Sequence, residues 1–116
     1  VSRAAVAWLL LVCGAPLPAV AAEANAVRGK IVAGVRCGPC HYLDKHLKKV
    51  GPGLAGIYGR APSISGVPFQ RWDAAALERW LAGPSKVKAN TRMSIPAISP
   101  RDRRDIIAYF ATQREQ

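Results

Sequence analysis

Apolar residues recur at helical spacing in three stretches, separated by segments dense in glycine and proline. The first runs from Asn25 to Arg36, with Asn25 as N-cap and Val27, Ile31 and Val35 marking an apolar stripe. Gly29 and Gly34 cost this helix about 1 kcal/mol each against alanine. A close backbone crossing at Gly29 would justify that cost. The second helix is expected from Asp73 to about Ala82, capped by Asp73, with Leu77, Trp80 and Leu81 on its apolar face and Gly83-Pro84 as its stop. The third opens on Ser99-Pro100-Arg101-Asp102, with Ser99 as cap, Pro100 in the first position and Asp102 where a capping box places its acid. Ile106, Ile107, Tyr109 and Phe110 give it an apolar face. Between these lie GPGLAGIYGR (51–60), a Pro/Ser/Gly loop (61–70) and an irregular basic stretch (85–98). No segment alternates as a strand would, so the fold class is all-α.

The N-terminus adds a separate unit. Arg3 precedes an uncharged stretch rich in Leu, Val and Ala, then Pro16 and Pro18, then small residues at 19–22. This is the pattern of a cleavable signal peptide over residues 1–22, leaving 23–116 as one domain. Cys13 follows Val12, too large for lipoprotein processing, and leaves with the leader. The mature chain then keeps two cysteines, Cys37 and Cys40.

With 116 residues there is room for one small core. A formal charge of +10 points to acidic surfaces on partners. Nucleic acid is set aside, because no long Lys/Arg block or recognised binding motif is present. Membrane association is at most peripheral, and a monomer is expected.

Chemistry concentrates in Cys37-Gly38-Pro39-Cys40-His41. A Cys-x-x-Cys-His run is the attachment signature of haem c. Thiols at this spacing can add to the two vinyl groups of one porphyrin, and the following imidazole is carried under the ring to bind iron. A thioredoxin-like dithiol uses a similar Cys-Gly-Pro-Cys, but needs strands around it. A zinc half-site lacks its second Cys pair. His46 follows His41 too closely to reach the other face of the ring and reads as a surface residue. Met93, the one methionine, sits in an irregular loop and is the candidate sixth ligand. Pro52 has no N–H, and its carbonyl is placed to accept from the free nitrogen of His41. Arg60 and Trp72 are candidate propionate contacts.

Together these residues resemble a class I cytochrome c, over about residues 25–113. Gly29 stands at the family's helix-crossing glycine, and Ile106–Phe110 resembles the terminal helix that packs on it. The run 51–60 is similar to the family's GPNLHGLFGR stretch. That similarity implies Pro52 as His41's partner and Arg60 beside a propionate. The spacing from Trp72 through Pro84 to Met93 implies Trp72 and Thr91 near the propionates and Met93 on iron. Two departures stand out. The loop between Arg60 and Trp72 is shorter than in the mitochondrial proteins and lacks their propionate tyrosine, and Ala33 replaces an aromatic, leaving Tyr109 a smaller partner.

The resemblance implies helices packed around one covalently attached haem, and an electron carrier with no catalytic residues. Lys45, Lys48, Lys49, Lys86, Lys88 and Arg92 would steer it onto acidic docking surfaces. The family implies a cytochrome bc1-type donor and a terminal oxidase, photosynthetic or dehydrogenase partner, in a respiratory or photosynthetic chain of the periplasm. An alternative is a subunit dedicated to a periplasmic dehydrogenase, such as one oxidising sulfite or thiosulfate. A basic surface argues against that, because a permanent interface tends to expose an apolar patch. With Met93 unbound, the iron would instead be open to a small gas.

Overall fold

A computed structural model describes residues 13–16 and 23–113. Apart from 13–16, the expected leader lies outside the described residues. Four helices follow in order: α1 (Ala26–Arg36), α2 (Ala74–Ala82), α3 (Pro84–Val87) and α4 (Pro100–Gln113), with no strand among the described residues. The fold is all-α.

The caps sit where short polar side chains can accept orphan amides. Asn25 accepts from the Arg28 amide, Asp73 from Ala76, and Ser99 from Asp102 at 3.1 Å. Gly83 closes α2, and Pro84 then starts the single turn of α3. The sequence reading ended at that proline and missed this turn. Proline stops one helix but is equally suited to the first position of another.

The frame is the crossing of α1 and α4. A Cβ on Gly29 would lie 1.8 Å from the Asp105 carbonyl oxygen, so only glycine lets the two backbones meet. Beside this contact Arg28 donates to Asp102 at 2.5 Å and to Asp105 at 2.6 Å, and the Asn25 amide donates to Asp105 at 2.8 Å. These bonds hold both carboxyls below the usual carboxylate range. The Asp102 side chain therefore serves the crossing, while its amide alone takes part in the cap. Gly34 has open space around its Cα and answers to no such contact.

The stripe expected to bury α1 faces outward. Val27, Ile31 and Val35 are 77%, 66% and 70% exposed, whereas Gly29, Ala33 and Cys37 are buried. The close approach at Gly29 decides the helix's rotation, and small residues follow it onto the buried side. Ala33, Ile106, Tyr109 and Phe110 join Leu77, Trp80 and Leu81 in one core. Each large apolar side chain buried there contributes about 1.5–3 kcal/mol. Tyr109 packs beside Phe110 at 5.5 Å between ring centroids.

Candidate functional site

The turn that ends α1 carries the motif. The amides of Cys40 and His41 both donate to the Cys37 carbonyl, at 3.0 and 2.9 Å, coiling the five residues into a compact knuckle. Lys49 caps it by donating to the Gly38 carbonyl at 2.9 Å. Cys37 is buried and Cys40 exposed, and both are free thiols. Burial pushes the Cys37 thiol up to about 11, opposed by the nearby Arg36 charge. A nucleophilic dithiol needs the opposite shift.

His41 is oriented by backbone. Its Nδ1 lies 2.7 Å from the Pro52 carbonyl oxygen. A carbonyl can only accept, so Nδ1 carries a proton, and in that tautomer it is Nε2 whose lone pair is available to a metal. The loop behind it demands glycine: a Cβ on Gly51 would come within 2.3 Å of the His41 ring, and one on Gly53 within 2.1 Å of the Lys45 carbonyl oxygen. Arg60 locks this loop, donating to the carbonyls of Ala55 at 2.9 Å and Gly53 at 3.0 Å. Gly56 and Gly59, at φ +61° and +86°, make the turns that return the chain to Trp72, whose carbonyl accepts from the Gly59 amide.

A cavity of about 590 Å³ opens on the knuckle. Cys37, Cys40, His41, Pro52, Arg60, Trp72, Thr91 and Met93 all line it, so the eight residues singled out as cofactor contacts meet there. His46 is exposed and lies outside it. Ile57, Leu77, Leu81 and Phe110 form apolar walls, and Arg36, Lys48, Lys88 and Arg92 add positive charge. The volume falls in the range of small-molecule and cofactor sites. Two thiols side by side, an imidazole with a free nitrogen and a thioether among apolar walls suit a haem.

Two placements add to the sequence reading. Thr91 accepts the Met93 amide at 3.2 Å through its hydroxyl. Trp80, read from sequence only as part of an apolar face, donates its indole N–H to the Met93 sulfur at 3.1 Å. Trp72 is buried edge-to-face against Trp80, with centroids 5.4 Å apart. The i, i+8 spacing of the two tryptophans was the available signal, but it does not reveal where an N–H points.

No protein-family model matches the chain. Curated relatives do. It is 33% identical to the cytochrome c of Euglena viridis over 101 residues, covering 78% of this chain and 99% of that one. Identity is 35% over 86 residues with cytochrome c2 iso-2 of Magnetospirillum molischianum (66% and 89% covered). It is 33% over 96 residues with cytochrome c2 of Rhodopila globiformis (74% and 91%). Helices without strands, a Cys-x-x-Cys-His knuckle at a cavity and relatives matched over most of their length agree. The chain belongs to the class I cytochromes c, electron carriers built on one covalently attached haem.

Proposed function

We propose that this protein is an exported shuttle for single electrons, holding its haem through Cys37 and Cys40 and ligating the iron with His41 and Met93. The observation that carries the reading is the single cavity in which the two thiols, the imidazole and the thioether meet. When bound, the haem supplies a one-electron Fe(III)/Fe(II) couple, and His/Met ligation raises its potential. The chain's own residues supply position. Pro52 fixes the His41 tautomer, so the ring presents Nε2 without rearranging. Thr91 and Trp80 hold Met93 at its two ends. The apolar walls exclude water, and Arg60, Trp72 and Thr91 are the residues proposed to meet the propionates.

Arg36, Lys48, Lys88 and Arg92 ring the cavity, and exposed Lys45, Lys49 and Lys86 extend the same sign over the surface. A basic mouth favours encounter with acidic patches on a donor and an acceptor, at rates that fall with salt. The leader pattern over 1–22 supports export to the periplasm and service in a respiratory or photosynthetic chain. No helix among the described residues is long and apolar enough to cross a membrane. Absorption spectra of the purified protein test the reading. A c-type reduced band, with a weak far-red sulfur-to-iron band when oxidised, is expected. Haem without the far-red band would remove Met93 from the iron, and absence of haem would end the proposal.

One observation favours a second reading. Val27, Ile31 and Val35 present an exposed apolar stripe, and Leu47 and Val50 are exposed near the motif. This is the feature a dedicated dehydrogenase subunit would show and a free carrier would lack. Stable copurification of a catalytic chain, lost in an Ile31→Ser variant that keeps its spectrum, would establish that reading over the first.

A further inference from the structure

We propose that Lys88 is a cation that receives a carboxylate of the haem, fastening the loop 61–70 to the segment that carries Met93. This deepens the propionate placement proposed for Arg60, Trp72 and Thr91, and it rests on that placement. The position of the ammonium carries it. Lys88 ends α3 on a turn in which the Thr91 amide donates to the Lys88 carbonyl at 3.0 Å. Its side chain crosses to the opposite wall, where a Cβ on Gly66 would lie 3.5 Å from the Lys88 Nζ. Gly66 is in the middle of the loop 61–70. The two ends of that loop are joined, because the Trp72 amide donates to the Arg60 carbonyl at 2.9 Å. Lys88 thus stands beside Thr91 along the chain and against the loop strung between Arg60 and Trp72. All four residues line the cavity.

The charge balance gives the ammonium its use. Lys88 is half-buried, and its Nζ donates to the neutral Asn90 Oδ1 at 2.9 Å. An ammonium has three donors, and among the described residues no ion pair involves this one. The two carboxylates of a porphyrin joined at Cys37 and Cys40 leave the ring on the side away from the thioethers. A carboxylate withdrawn from water beside apolar walls needs a cation. The loop 61–70, APSISGVPFQ, contains no basic residue and cannot supply one. Of the other cations lining the cavity, Arg36 is bonded to the Ala97 carbonyl, and Arg60 gives two N–H groups to the carbonyls of Ala55 and Gly53. Lys48 and Arg92 are exposed. A carboxylate matched by Lys88 exerts less pull toward Fe(III), so the lysine favours the reduced form.

The test uses the haem-loaded protein. In the reduced, unmutated chain, proton NMR should show cross-peaks between the Lys88 ε-methylene and the propionate methylenes. Cross-peaks from those methylenes to Trp72 and Thr91 but not to Lys88 would overturn the proposal and leave the other two at the carboxylate edge. Cross-peaks to none of the three would overturn the propionate placement as well.

Variants read the charge. Lys88→Gln removes it and keeps a polar side chain. The Fe(III)/Fe(II) ratio at a fixed electrode potential should then rise about two- to five-fold, and the resonance Raman bending band of the propionates should move. Lys88→Arg should restore both, while Lys86→Gln, at an exposed neighbour, should move neither. An unmoved Raman band in Lys88→Gln, or an equal change of ratio in Lys86→Gln, would make Lys88 one more surface charge and overturn the proposal.

Discussion

His41 and Met93 reach one cavity by different physical means. The His41 side is made of backbone: the Pro52 carbonyl takes the ring proton, Gly51 and Gly53 stand where no Cβ fits, and Arg60 binds two further carbonyls of the same loop. On the Met93 side, a segment with little regular structure after α3, the holding groups are side chains: Thr91 from that segment and Trp80 from α2. Backbone cannot change its chemistry by substitution, and side chains can. The His41 side is therefore a fixed mount, and the Met93 side is where a carrier of this build can be retuned.

Substitutions test that contrast. The largest effect is expected from Gly53→Ala, where the new methyl meets the Lys45 backbone and nothing flexible can yield. Denaturant melts should show a loss of about 2–3 kcal/mol, with the spectral signature of His41 ligation disturbed. Arg60→Ala frees two carbonyls bonded to a charged donor and should cost about 2 kcal/mol by the same melts. Thr91→Val, which keeps the shape and removes the hydroxyl, should cost about 1 kcal/mol and show mainly as easier displacement of Met93 by added imidazole. If Thr91→Val proved as damaging as Gly53→Ala, the distinction between mount and tunable side would fail. Ile31→Ser, outside both, should leave stability within about 0.5 kcal/mol. A residue buried in the core would lose several times that, so this melt checks the rotation of α1 directly.

What could be read in the sequence divides along the same line. Asn25, Asp73 and Ser99 were legible as caps because short polar side chains act on amides a few residues away. Gly29 was legible because a glycine in a helix is costly unless a backbone comes close. The all-α fold followed from the absence of strand alternation. The rotation of α1 was not legible, since Val27, Ile31 and Val35 make the better stripe on paper while Gly29 and Ala33 decide the packing. Nor were the partners of Asp102 and Trp80, because each lies on a different part of the fold and sequence spacing carries no record of it. Residue type foretold which side chains meet at the cavity, but not which hold the others in place.

The crossing of α1 and α4 also bears on how the molecule is assembled. Arg28 and Asp105 are 77 residues apart, so the chain must close a very long loop before its first helix has anything to lie on. Until the last helix arrives, the face of α1 that carries Gly29 and Ala33 has no other helix among the described residues to pack on. In the finished fold Cys37 is buried at the wall of the cavity. The architecture thus makes the α1–α4 crossing a late event in folding, and a chain cut short before residue 100 would lack the helix that closes it.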